Sequence, residues 1–310
     1  MNLIDIAREL GTEEECFAFL EKQRWPDGVR CAVCGCNRIS RIERKAKSKN
    51  VRKNLYQCLE TTCKQQFSVT SGTIFHDSRI PLTKWFTAIN LIMDAKKGVS
   101  AMQLQRHLGL GSYQTAWHMC HRIRKAMVAE GSADLTGIVE MDETYVGGKI
   151  KNKHWKRKEF NTKQTVVGMK QRGGNVRLIH APNAKIETLA GIIEEHISAD
   201  VEAIMTDELP AYPKAIRLAG HAQVRHCKVN HSLEIYSYDD VTTNGIESAF
   251  SLFKRAIIGS FHHVSAKHLH RYLSEFDHRF NRRKTPTRFI DLVTRTGQTS
   301  PLPYRKLVDE

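Results

Sequence analysis

"GIVEMDETYVGGKIKNKHWKRK", residues 137–158, sets the problem for this chain. Val139 and Met141 alternate with Glu140, Asp142 and Thr144, a period of two that predicts a half-buried strand. The strand ends among three carboxylates, Glu140, Asp142 and Glu143. Two glycines and a run of cations follow at once. Clustered negative charge beside dense positive charge has two readings. One is a surface ion-pair strip; the other is a site that holds metal cations next to a polyanion.

The downstream pattern favours the second reading. "KQTVVGMKQRGGNVRLIHA", 163–181, is two β-rich runs joined at "RGGN", a hairpin signal. "KIETLAGIIEEHI", 185–197, has the periodicity of an amphipathic helix. "VEAIMTDELPAY", 201–212, reads as a short buried strand that ends at Asp207 and breaks at Pro210. "TTNGIESAFSLFKRAIIG", 242–259, reads as a helix with Ile246, Phe250, Phe253 and Ile257 towards a core. Strand, hairpin, helix, strand, helix is the order of a mixed α/β sheet flanked by helices.

Asp142 and Asp207 thus lie at the ends of apolar strands, and Glu247 in the first turn of the late helix. If the two strands are neighbours, the three carboxylates converge, and their repulsion calls for cations between them. An all-oxygen donor set suits Mg2+ or Mn2+. Two such ions activate an attacking oxygen and stabilise a leaving one in phosphodiester chemistry. Lys254 follows Glu247 by two helical turns, on the same face, where it can contact a phosphate. Lys149, Lys151, Lys153, Lys156, Arg157 and Lys158 would then hold the nucleic-acid strand. Glu140, Glu143, Glu208 and Asp240 are the remaining acids of the region, and pattern alone does not exclude them from the site.

Cysteine spacing marks a second metal. Cys31 and Cys34 form a C-x2-C knuckle with Gly35 and Asn37 in its turn, and Cys58 and Cys63 form C-x4-C. Four thiolates close a tetrahedral shell, so the expected ion is one structural Zn2+. Cys36 is an alternative ligand to Cys34. The loop between the pairs carries Arg38, Arg41, Arg44, Lys45, Lys47, Lys49, Arg52 and Lys53, which suits phosphate contact better than packing. Cys16, Cys120 and Cys227 have apolar neighbours and read as small core residues.

"PLTKWFTAINLIMDAKKG", 81–98, carries helix start and stop signals. Next, Ser100 caps a short helix through Leu108, "GLG" at 109–111 breaks it, and a basic helix begins near Ser112. This is either an ordinary helical hairpin or a helix-turn-helix. The second reading makes Gln114, Thr115, His118 and Arg122 the DNA-facing candidates.

The totals agree with a nucleic-acid partner. The 310 residues carry a net charge of +15 with 41% hydrophobic content, enough for a real core. Such a basic surface gains affinity for polyanions by counterion release. The N-terminus is acidic and no apolar run approaches the ~20 residues of a membrane helix, so the expected location is the cytosol.

Taken in order, "CAVCG", "YQC…C…QFSVTSGTIFHDSRIPLTKWF", "AWHMCHRIRKAM", "VEMDETYVGGK", "TDELPAY", "VNHS" and "TNGIESAFSLFKRAIIGSFHHVSAKHL" resemble one family across nearly the whole chain. It is that of the ISXO2-like insertion-sequence transposases. The resemblance implies a multidomain α/β protein: an N-terminal helix and zinc ribbon over 1–75 and a helix-turn-helix region over 76–132. A ribonuclease H-like DDE catalytic domain over 133–295 and a tail over 296–310 complete it. It implies Asp142 and Asp207 as the first two acids and Glu247 as the third, with Lys254 as basic partner. Some branches use Asn as third ligand, which makes Asn244 the second choice. Metal-dependent hydrolysis at an element end and transesterification into target DNA follow, in a dimer or larger synaptic complex. The alternatives are an inactive transposase-derived DNA-binding regulator and a non-transposing nuclease of the same fold.

Overall fold

A computed structural model describes residues 1–42, 54–128, 134–147, 163–229 and 242–309. The chain divides into two compact units. One comprises Met1–Ala95, Val99–Met127 and Lys284–Glu310; the other comprises Lys96–Gly98 and Val128–Arg283.

The first unit opens with α1 (Leu3–Glu9) and α2 (Glu13–Arg24), each started by a reciprocal capping box, Asn2 with Asp5 and Thr12 with Glu15. Strands β1 (Ile39–Ile42), β2 (Leu55–Cys58) and β3 (Gln66–Phe67) form a small antiparallel sheet in that order. Helices α3 (Leu82–Asp94), α4 (Ala101–Leu108) and α5 (Tyr113–Met127) follow. Ser100 caps α4 by accepting from the Gln103 amide, and Gly109 ends it in the left-handed region at φ 55°. Ser112 then accepts from the Thr115 amide at the start of α5.

The second unit is three layers. Its sheet has the order β6-β5-β4-β7-β8, built from β4 (Ile138–Val146), β5 (Gln164–Gln171), β6 (Val176–Ala181), β7 (Ala203–Thr206) and β8 (Arg225–Lys228). The β6-β5-β4 part is antiparallel and the β4-β7-β8 part is parallel. Helices α6 (Ile186–His196) and α7 (Tyr212–Leu218) cover one face, with Leu189, Ile193, Tyr212 and Ile216 packed on Val139, Met141 and Val167. Helices α8 (Asn244–Ala256) and α9 (Ala266–Asn281) cover the other, with Ile246, Phe250, Leu273 and Phe276 packed on Val146 and Val166. The alternation in 138–146 predicted one solvated face. The structure buries both, since Glu140 and Thr144 lie under α8's layer. The free edge of β6 is closed by α9: Asp277 accepts from the Leu178 amide and Asn281 from the Val176 amide. Side chains there take the place of a further strand.

The chain then returns to the first unit as α10 (Arg288–Gln298) and α11 (Tyr304–Asp309). Phe289, Leu292 and Val293 enter the core formed by α2, α3 and α5, and Leu302 and Leu307 are buried. The boundary expected at 295/296 falls inside α10, and α11 follows within the described part of the tail. The reason is the apolar face of α10, which finds its partner far upstream in sequence. Among the described residues no helix is long and apolar enough to cross a membrane.

Candidate metal centres and their surroundings

β4 and β7 are parallel neighbours with Glu140 opposite Met205. Two residues further along both strands stand Asp142 and Asp207, where β7 has ended and β4 runs on. This is the carboxyl end of the parallel strands, where open α/β sheets form their binding crevices. Carboxylate oxygens of Asp142, Glu143 and Asp207 all lie within 4.8 Å of one another. Glu143 is on the other face of β4 from Asp142, and its Oε2 accepts from the Tyr212 hydroxyl at 2.8 Å. Sequence pattern ranked Glu143 below Asp142 without excluding it, and adjacent strand residues ordinarily point apart. At the end of β7 the notch lets side chains from both faces turn towards Asp207.

Burial and neighbouring charge act on Asp142 and Glu143. Burial pushes the Asp142 carboxyl up to about 7, and the charges of Asp207, Glu143 and Glu247 add to this, against the Glu143 amide that donates to it. That amide bond is 2.8 Å. Burial also raises Glu143, partly offset by Tyr212. Glu247 thus lies within electrostatic reach of Asp142 but outside the tight three-residue group. Its Oε1 accepts from Thr243 at 3.0 Å. Asn244 is the first residue of α8 and exposed, and Lys254 is exposed on the Glu247 face of the same helix. Hard oxygen donors converging on one point are the set that Mg2+ or Mn2+ prefers, so the residues present fit such ions.

Glycine at one position governs how α8 meets this site. Gly168 on β5 is the register partner of Asp142. A Cβ there would lie 2.5 Å from the Phe250 ring and 2.7 Å from Ile246 Cδ1. Its absence lets α8 settle onto the sheet beside Asp142.

The other acids separate clearly. Glu140 is buried and bonded, Glu208 is exposed, and Asp240 lies outside the described residues. So do Lys149, Lys151, Lys153, Lys156, Arg157 and Lys158, together with Arg44, Lys45, Lys47, Lys49, Arg52 and Lys53. Beyond α8, His262 and His263 are exposed and His268 is buried.

In the first unit, the Sγ atoms of Cys31, Cys34, Cys58 and Cys63 also lie within 4.8 Å of one another. The Cys31–Cys63 pair is 3.7 Å apart and the Cys34–Cys58 pair 3.6 Å. Zn–S bonds of ~2.3 Å in a tetrahedron put sulfurs about 3.8 Å apart, so this set fits a closed, structural zinc shell. Cys36 stays outside; its sulfur accepts from the Arg38 amide at 3.3 Å. The carbonyl of Cys36 instead accepts from the Cys31 amide, closing the first knuckle. Cys16 and Cys120 are wholly buried, whereas Cys227 is half-buried on β8.

The DNA-facing candidates on α5 do not share one fate. Arg122 is 8% exposed. It donates to the His76 carbonyl at 2.7 Å and to the Leu302 carbonyl at 3.4 Å. His118 bonds the same Leu302 carbonyl at 2.8 Å, and the Tyr304 ring stands edge-on to it. These two side chains clamp the C-terminal segment, a role invisible before that segment was seen to fold back. Thr115 bonds Ser112 at the helix start, and Gln114 is exposed.

Comparison with known proteins agrees with this layout. Residues 11–66 match the transposase zinc-ribbon domain, and residues 134–281 match the ISXO2-like transposase domain. An uncharacterized protein in transposable element ISH50 of Halobacterium salinarum is 30% identical over 142 residues. The match spans 46% of this chain and 45% of that protein, under half of each. Among solved structures, a chain of the simian T-cell lymphotropic virus intasome in complex with PP2A regulatory subunit B56 gamma aligns at 16% identity. It covers 62% of this chain and 65% of that one with a TM-score of 0.31, a likeness too distant to argue from. The chain therefore matches, in this order, a transposase zinc-ribbon domain and an ISXO2-like transposase domain.

Proposed function

We propose that the second unit is a ribonuclease H-like DDE domain that cuts and joins DNA strands with divalent cations. The observation that carries this is the convergence of Asp142, Glu143 and Asp207 at the carboxyl ends of two parallel strands, with Glu247 close enough to act on Asp142. Three antiparallel strands followed by two parallel ones, with helices on both faces, support the fold reading.

Asp142 and Asp207 hold the cations, and Glu247 is the third ligand in preference to Asn244, because a carboxylate brings charge and an amide does not. Bound there, two divalent ions sharpen the attacking oxygen and neutralise the leaving one. The chain's own residues do the rest. Lys254, on the Glu247 face of α8, binds a phosphate of the DNA strand. The cations of 149–158 extend that grip along the backbone, and the ribbon and helices of the first unit bind element ends in helix-turn-helix fashion, with Gln114 as the exposed contact. In the first step water attacks phosphorus and the bond to the 3′-oxygen breaks. In the second, that 3′-hydroxyl attacks a target phosphodiester and a target 3′-oxygen leaves. Two ends must meet for this, so the working form is a dimer or larger synaptic assembly.

The test is cleavage and strand transfer on element-end DNA with Asp142→Asn and Asp207→Asn. Both variants lose Mn2+-dependent cleavage while DNA binding persists. Cleavage surviving in both sinks the site. Cleavage without joined product from pre-cut ends makes the protein a nuclease, and binding without either reaction makes it a regulator.

A further inference from the structure

Glu140 stands two residues before Asp142, on the same face of β4, and is 3% exposed. A carboxylate buried so deeply requires partners. Its Oε1 accepts from Arg172 Nε at 3.2 Å, and its Oε2 accepts from the Ile246 amide at 3.0 Å. Arg172 also donates to the Thr242 carbonyl at 3.3 Å. Ile246 is the third residue of α8, so Glu140 fills from a distant strand the position of a helix N-cap side chain. The local N-cap residue, Thr243, makes no cap bond, and its hydroxyl donates instead to Glu247 at 3.0 Å. Gly245 completes the arrangement. A Cβ at that position would lie 2.4 Å from Glu140 Oε2. Glycine alone lets the carboxylate reach the helix backbone.

We propose that Glu140 is a positioning residue of the acid site, tying the N-terminus of α8 to β4 and so fixing Glu247 relative to Asp142. The inference rests on the metal-site reading above. A buried ion pair is a poor device for stability alone, since well-packed apolar residues fasten a helix as firmly. What the carboxylate adds is direction. By taking the Ile246 amide it fixes the first turn of α8, on which the Thr243 hydroxyl orients Glu247, and its place on β4 sets the separation of that side chain from Asp142. Ligand-orienting groups of this kind are a recurrent part of metal sites.

The experiment measures Mn2+ affinity calorimetrically in the full chain for Glu140→Ala, Glu247→Ala and the double variant, with hydrogen exchange over 243–250. Asp142→Asn serves as the control. Glu140→Ala is expected to weaken Mn2+ binding about tenfold or more. In the Glu247→Ala background the same change has almost no further effect, because the two side chains act through one ligand. Exchange of the α8 amides rises in Glu140→Ala and not in Asp142→Asn. Gly245→Ala keeps every charge and repeats the pattern, which carries the test if Glu140→Ala fails to fold. Losses that multiply across the pair, or unaltered exchange, overturn the role of Glu140 while leaving the metal site standing. Absence of Mn2+ binding in the unsubstituted protein overturns both.

Discussion

The buried Tyr212 ring reaches Glu143 from the sheet face opposite α8, its hydroxyl donating to Oε2 at 2.8 Å. This bond holds Glu143 beside Asp207 and favours its charged form. Tyr212→Phe removes the donor and keeps the ring. Proton competition at Glu143 then increases, so apparent Mn2+ affinity falls, and by more at pH 6 than at pH 8. The lost buried hydrogen bond costs about 1 kcal/mol in denaturant titration. Equal affinity at both values would remove Glu143 from the metal site.

Asp142 gives the free protein and its metal complex opposite pH dependences. Its folded value of about 7 exceeds the ordinary 3.8. Between these values the unfolded chain has released a proton that the folded chain keeps. Stability of the metal-free protein therefore falls as pH rises through this window. Asp142→Asn abolishes that loss and melts higher than the unsubstituted protein at pH 8, but not at pH 4. Mn2+ binding requires the ionised form. Its apparent affinity climbs by up to about tenfold per pH unit below 7 and flattens above. Thermal melts and calorimetry across pH 5–8 check both signs.

The ribbon's apolar cluster is small, centred on Cys31, Tyr56, Cys58 and Phe67. A core of that size leaves folding to the metal. Elemental analysis should find one zinc per chain, retained in Cys36→Ser and lost in Cys58→Ser. Trp25 packs at 5.9 Å from Tyr56 and 6.0 Å from Phe67. Chelation should therefore shift its emission, by difference against Trp25→Phe. Loss of zinc in Cys36→Ser would reassign the shell.

Arg122 and Gln114 separate stability from recognition. Arg122→Ala takes the donor from the His76 carbonyl and leaves the Leu302 carbonyl to His118, at a cost of about 2 kcal/mol. Gln114→Ala leaves the melting temperature unchanged and weakens binding to element-end DNA in a titration. A reversal of these two results would put the C-terminal clamp, not the exposed helix start, at the DNA.

Local pattern carried much of this protein. The cysteine spacing, the Ser100 cap, the break at Gly109, the hairpin at "RGGN" and the strand ending at Asp207 depend on near neighbours, and each is where periodicity and turn chemistry put it. The net charge of +15 is likewise a property of the sequence, and it carries the expectation of a polyanion partner. What the tertiary structure alone decided are contacts between residues far apart in the chain. Sheet order made Asp142 and Asp207 neighbours, and the end of β7 turned Glu143 inward. The fold placed Tyr212 and Ile246 against acids that looked idle. The return of α10 and α11 gave Arg122 and His118 a carbonyl to hold. The physical reason is range. Periodicity reports which face of an element is apolar, but not which distant element will cover it, and a buried charge acquires its role only from the partner that burial supplies.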